Sequence, residues 1–120
     1  MTPQNHLAAF AGADEIRISS RRGDGSLRPF VPIWGVVVGD ALYVRSQAGP
    51  QNGWYRRALA SGSGRIRAGG TELDVTFAEA HDADQLAIDA AYRTKYGYFG
   101  DIGGIVGPAL WPVTLRVSPV

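Results

Sequence analysis

The stretch 41-ALYVRSQAGPQNGWYRRAL-59 decides how this chain is read. It is a strand, then a glycine/proline loop, then a short helix that opens on an aromatic pair followed by two arginines. Side chains alternate along a strand, so Leu42, Val44 and Ser46 share one face and Ala41, Tyr43 and Arg45 the other. Gly49 and Pro50 continue neither a ladder nor a helix. Asn52 is a good N-cap for a helix over about 53–61, and Gly62 stands where that helix would stop. A helix start carries free N–H groups and the positive end of the macrodipole, which together hold anions. Arg45, Arg56 and Arg57 surround this one, and Trp54 and Arg57, three residues apart, share a helix face. A ring and a guanidinium beside a helix start suit a planar or phosphorylated ligand. The same residues also fit a plainer role, in which Trp54, Tyr55 and Leu59 seat the helix on the core and the arginines lie solvated over apolar surface.

Upstream, residues 6–11 are apolar and predict one or two helical turns. Residues 15–20 alternate as a half-buried strand, with Ile16 and Ile18 inward, and RRGDGS at 21–26 is a turn. Residues 28–38 predict a second strand that is apolar on both faces, Phe30, Trp34, Val36 and Val38 against Val31, Ile33 and Val37. A chain this short has little with which to cover a second face, which makes a partner subunit the natural cover. Pro29 and Pro32 put the first half of that strand at an edge or a bulge. Gly39-Asp40 then turns into the strand already described.

Downstream, residues 64–68 and 71–79 read as strands joined by a Gly69-Gly70 turn, the second alternating Leu73, Val75 and Phe77 against Glu72, Asp74 and Thr76. Asp82 or Asp84 caps a helix of about twelve residues with Ile88, Ala91, Tyr92 and Lys95 or Tyr96 on one side. The segment from Tyr96 to Pro112, rich in glycine and aromatics, has no period. A last strand over 110–118 alternates Trp111, Val113, Leu115 and Val117 against Thr114 and Arg116. Six strands with hairpin connections and two short helices, in a mainly β chain, predict a small closed barrel, since closure removes sheet edges.

Composition narrows the partners. At 120 residues the chain is one domain over 1–120, with 45% hydrophobic and 19% charged residues. A net charge of +1 argues against a broad basic field for nucleic acid. Without cysteine there is no disulfide, thiolate nucleophile or cysteine metal site. His6 and His81 are not in metal-ligand spacing, so no metal is expected and a heme-binding role ranks last. The N-terminal stretch reads as no signal peptide and no segment has the length of a membrane span, so a cytoplasmic protein is expected. SGSGR at 61–65 ends a helix and begins a strand, the reverse of a hydrolase nucleophile elbow.

The run 21-RRGDGSLRPFVPIWGVVVGDALYVRSQAGPQNGWYRRALASGSGRIRAGG-70 resembles the core of the flavin-binding split-barrel superfamily. It is closest to the small deazaflavin-dependent nitroreductase-like proteins and to an uncharacterised bacterial group related to them. The matching positions are Arg21, Arg22, Gly25, Arg28, Pro32, Gly39, Asp40, Ser46, Gly49, Pro50, Trp54, Tyr55, Gly69 and Gly70. Gln47 and Arg57 depart from the lysine and asparagine usual there.

The resemblance implies a six-stranded split β-barrel, a homodimer, and FMN or a deazaflavin coenzyme bound across the subunit interface. Carried over, it implicates Arg28, Arg45, Ser46, Trp54 and Arg57 in holding the cofactor, chiefly its phosphate. Trp34, Tyr92, Tyr96 and Tyr98 are the expected substrate-pocket residues. A reductase then needs little acid–base machinery from the protein, because the cofactor carries the hydride. The alternative keeps the barrel without a cofactor, as a binding protein or a non-redox enzyme such as an isomerase or cyclase with an apolar pocket.

Overall fold

Two consecutive short strands, Val31–Ile33 and Gly35–Val38, stand at opposite ends of one seven-stranded sheet, and that fact shapes the molecule. The computed structural model describes residues 3–120, with side chains of the first helix described from Leu7 onward. In chain order the elements are α1 (Pro3–Gly12), β1 (Ile16–Ser20), β2 (Val31–Ile33), β3 (Gly35–Val38) and β4 (Ala41–Arg45). There follow α2 (Gly53–Ser61), β5 (Ser63–Ala68), β6 (Thr71–Glu79), α3 (Gln85–Tyr96) and β7 (Thr114–Pro119). The strand order is β2-β1-β5-β6-β7-β4-β3 and every pairing is antiparallel. Because β2 and β3 are joined through Trp34 alone, the sheet curls round until its ends nearly meet. The result is a nearly closed barrel with a seam, a split barrel.

Residues 28–38, expected as one strand, thus form two. Pro32 has no N–H to give a ladder. At the break the tyrosines of α3 take over the backbone bonds: Tyr92 donates its hydroxyl proton to the Trp34 carbonyl at 3.2 Å, and the Gly35 N–H donates to the Tyr96 oxygen at 3.1 Å. The last strand is also shorter than its alternation predicts. Pro112 holds Trp111–Val113 in a 3₁₀ turn, and pairing begins only at Thr114.

Ile16, Ile18, Leu42, Val44, Ile66, Val75, Phe77, Leu115 and Val117 fill the barrel and are almost wholly buried. Close packing reaches the backbone at Gly64 in β5, where a Cβ would come within 2.0 Å of the Ser19 carbonyl oxygen on β1. The helix α2 packs on β1 and β6, starts at Asn52 and ends at Gly62 in a left-handed conformation (φ 71°). Asp84 caps α3, accepting from the Ala87 N–H at 3.0 Å. The helices α3 and α1 both pack on β3.

Candidate functional site

The seam opens into a cleft of about 610 Å³. Trp34, at the junction of β2 and β3, and Phe99 give it one aromatic wall, and Trp54 and Asn52 at the start of α2 add to the lining. Ile33, Ile105 and Ala48 add apolar surface, while the exposed Asp14 and Glu15 add carboxylates. Trp34 is held as a platform: its ring stacks on Tyr96 at 4.2 Å and 8°, and on Phe99 at 5.5 Å. Tyr96 is fixed in turn, its hydroxyl contacting the Asp14 carbonyl at 2.8 Å and the Gly35 carbonyl at 3.1 Å.

Of the expected substrate-pocket residues, only Trp34 lines this cleft. Tyr92 and Tyr96 are core residues behind it. Burial, the dominant cause, pushes the Tyr92 hydroxyl far above its usual pKa and that of Tyr96 to about 12, so neither is a ready acid. Tyr98 is exposed, stacks on Phe99 at 4.3 Å and donates to Asp14 Oδ2 at 2.7 Å.

Arg45 lines the cleft but turns its guanidinium inward. Nη1 donates to Asp89 Oδ1 at 2.5 Å and to the Ile105 carbonyl at 3.0 Å. Nε donates to Thr114 Oγ1 at 3.0 Å, and Nη2 to Gln85 Oε1 at 2.9 Å and the Gln85 carbonyl at 3.4 Å. Each of its N–H groups has an internal acceptor, so in this structure Arg45, expected at the phosphate, has its donors spent within the fold. Burial alone would raise the Asp89 pKa, but the bonds it receives from Arg45, the Gly107 N–H and Trp111 Nε1 outweigh this and hold it below its ordinary value. Through Ile105, Gly107 and Trp111 the pair anchors the glycine-rich segment that supplies one side of the cleft. Ser46 is likewise spent. It is fully buried and donates to the Gly49 carbonyl at 2.5 Å.

The remaining three expected ligand residues do come together. Arg28, Trp54 and Arg57 line a narrow recess of about 10 Å³, with Ser19, Ser20 and Ala58 among its other walls. Trp54 is shared with the aromatic cleft. Arg28 and Arg57 are shared with a third recess, of about 470 Å³, lined by Arg21, Arg22 and Ser61 as well. Among the described residues neither the Arg28 nor the Arg57 guanidinium has a hydrogen-bond partner, and Arg28 Nε is buried without one. Arg57 folds back over the start of its own helix, its Nη1 only 2.8 Å from where a Gly53 Cβ would lie. Asn52 occupies the N-cap without a side-chain bond, which leaves the first N–H groups of α2 uncapped. Guanidiniums with unspent donors beside an uncapped helix start match the chemistry of a phosphate.

Sequence reading missed Asp14, Glu15, Gln47, Phe99 and Ile105 as cleft residues, and it missed the Arg45–Asp89 pair. The pair had a signal. Asp89 and Gln85 flank the apolar stripe of α3, and an acid at the edge of a buried face calls for a buried cation. His81 pairs with Glu79 on the surface, while the His6 side chain lies outside the described residues. No helix among the described residues is long and apolar enough to cross a membrane.

Solved structures agree with the architecture. A pyridoxamine 5'-phosphate oxidase-like protein of Listeria innocua superposes with a TM-score of 0.65 at 14% identity, over 98% of this chain and 92% of its own. An F420 reductase gives 0.61 at 14% identity, over 99% and 96%. A FAD-binding protein of Mesorhizobium loti gives 0.60 at 15% identity, over 100% and 91%. At such identities the likeness establishes the split-barrel fold. No curated protein matches the sequence. A family model described as "Uncharacterized protein conserved in bacteria (DUF2255)" matches residues 6–117, so the chain, a split barrel with an aromatic cleft beside a cluster of arginines, belongs to that bacterial family.

Proposed function

We propose that this barrel binds a planar, phosphorylated cofactor of the flavin or deazaflavin type, with the ring in the cleft between Trp34 and Trp54 and the phosphate on Arg28 and Arg57. One observation carries the reading. Trp54 borders both the aromatic cleft and the recess where Arg28 and Arg57 offer unspent donors beside an uncapped helix start. Stacking surface and anion site are therefore contiguous, as a ring bearing a phosphate requires. When bound, such a cofactor supplies hydride chemistry, which makes the protein a candidate oxidoreductase. The chain's own part is to stack the ring on Trp34 and Trp54, hold the phosphate, and present Asp14 and Glu15 to a substrate in the same cleft. A homodimer belongs to this reading, supported by the half-exposed Val31, Val37 and Val38 on the edge strands β2 and β3. Light scattering of the eluting protein tests it, and a monomer at all concentrations removes it.

The decisive experiment is titration of the purified protein with FMN and with a deazaflavin coenzyme, following tryptophan fluorescence. Saturable quenching is expected for one of them. Arg57→Ala and Trp54→Ala should each weaken it about tenfold, the size of one charge-assisted or stacking contact, while the protein stays folded. Unchanged affinity in folded Arg57→Ala rejects the phosphate assignment. Indifference to both cofactors favours the second reading, a cofactor-free barrel that takes a small organic ligand, for which the cleft's apolar walls and two carboxylates are the supporting feature.

A further inference from the structure

We propose that the recess lined by Arg21, Arg22, Arg28 and Arg57 takes a second anionic group, so that the ligand of this barrel carries a diphosphate rather than a single phosphate. For the position of the ring this rests on the reading above; the anion site itself stands on its own geometry.

The first argument is space. The narrow recess between Trp54, Arg28 and Arg57 holds about 10 Å³, room for one small group. Beyond it the basic recess opens to about 470 Å³. On that measure one water needs about 10–15 Å³, so the narrow recess takes about one water-sized group and the basic recess has room for a much larger one.

The second argument is charge. Four of the chain's basic residues converge there although the whole chain carries only +1. Among the described residues the one carboxylate in an ion pair with any of them is Asp74, which meets Arg21 at 3.0 Å and is shared with Arg65 at 2.9 Å, while the exposed Asp24 in the same hairpin only feels the charge of Arg22. Arg28 and Arg57 suffice for one phosphate; Arg22 is then in excess, and Arg21 is only partly matched by the Asp74 it shares. Uncompensated like charges repel one another, a cost that a bound polyanion removes.

The third argument is preorganisation. The hairpin that carries Arg21 and Arg22 is tied internally. Asp24 Oδ1 accepts from the Ser26 N–H at 2.9 Å and from the Ser26 hydroxyl at 2.6 Å, and the Gly25 N–H donates to the Arg22 carbonyl at 2.9 Å. Arg21 Nη1 donates to the Gly25 carbonyl at 2.8 Å and Arg22 Nη1 to the Leu27 carbonyl at 3.0 Å. One edge of each guanidinium is held by its own hairpin, and Arg22 keeps the other for a ligand. Planar forks held in this way suit the paired oxygens of a diphosphate.

The test is calorimetric titration with inorganic pyrophosphate and with inorganic phosphate. Pyrophosphate is expected to bind about tenfold tighter or better, since an added charge-assisted contact is worth about 1.5–3 kcal/mol and tenfold is about 1.4. Arg22→Ala should remove about tenfold of the pyrophosphate affinity. Arg93→Ala, which deletes the same charge on the exposed side of α3 outside all three recesses, should change it less than about twofold. If Arg22→Ala disturbs the hairpin, Arg22→Lys keeps the charge but not the fork and should still lose severalfold. Equal affinity for the two anions overturns the proposal, as does an equal loss in Arg93→Ala. Pyrophosphate binding of the expected pattern in a protein that ignores FMN would uphold this site and reject the ring reading. FMN binding with no preference for pyrophosphate would do the reverse.

Discussion

Arg45 and Arg57 are the same residue type in opposite circumstances. Arg45 lies beneath α3, on the face of β4 away from the barrel core, 2% exposed, with every donor matched to an internal acceptor and a buried carboxylate against it. Arg57 lies at the surface with no partner among the described residues, beside Arg28, whose Nε is buried and unmatched. A guanidinium whose donors are all spent at home stabilises the fold and has nothing to offer a ligand. One with unspent donors contributes little to folding and keeps its bonding capacity for what arrives. The difference separates two regions, a rigid frame beneath the cleft and an anion site beside it.

The frame should break hardest. Asp89→Ala strands a buried guanidinium and should cost about 3–5 kcal/mol in urea unfolding. A midpoint equal to that of the unaltered protein would mean that the pair is not the anchor of the glycine-rich segment. The same carboxylate sets a pH dependence. Its pKa in the folded protein is held below the unfolded value, near 4, so its stabilisation is fully present above that value and is lost as pH falls through the folded one. The stability gap between the parent protein and Asp89→Asn should therefore shrink below about pH 4; a gap constant to lower pH would contradict it.

The anion site should behave in the opposite way. Arg57→Ala should move the unfolding free energy by no more than about 0.5 kcal/mol, and raised salt should weaken FMN binding much more than it lowers the melting temperature. A variant that unfolds as easily as Asp89→Ala would erase the distinction between the two arginines.

Lys95 sharpens the comparison as an intermediate case. Half-buried, it donates to the Phe10 carbonyl at 2.9 Å and the Gly35 carbonyl at 2.7 Å, with Nζ 5.0 Å from the Tyr96 ring centre. No carboxylate within ion-pairing distance meets it among the described residues. Burial pushes its pKa down to about 8, and the charge of Asp14 only partly opposes this. The unfolded chain then binds more protons between about pH 8 and its ordinary value near 10.4, so stability should rise gently with pH across that window. The neutral amine keeps two donors for the two carbonyls. Lys95→Met should flatten the rise, and an unaltered slope would place the titration elsewhere.

Much of this was legible beforehand, where local chemistry decides. Gly62 ends α2 because a left-handed stop is a property of a few adjacent residues, and Asn52 holds the N-cap position although its side chain makes no capping bond. The alternation at 71–79 marks β6 because the period of two is local as well. Trp54 and Arg57 could be grouped because they share a face at one helix start, and Arg28 joined them only through the family resemblance. Arg45 could not be told from them. Its alternation put it on the face away from Leu42 and Val44, but what covers that face depends on α3, whose Asp89 is 44 residues away.

By itself, then, the sequence determined the strands and turns, the mainly β closed barrel, the absence of cysteine chemistry and the cluster of rings and guanidiniums near residue 54, since these follow from side-chain period, backbone restriction and residue type. Only the tertiary structure decided that residues 28–38 divide between the two ends of the sheet, that Tyr92 and Tyr96 support the cleft instead of lining it, and which arginines are spent. Those outcomes depend on hydrogen bonds between residues far apart in the chain. A donor's availability depends on every acceptor within reach, and closure of the barrel is what brings those acceptors to it.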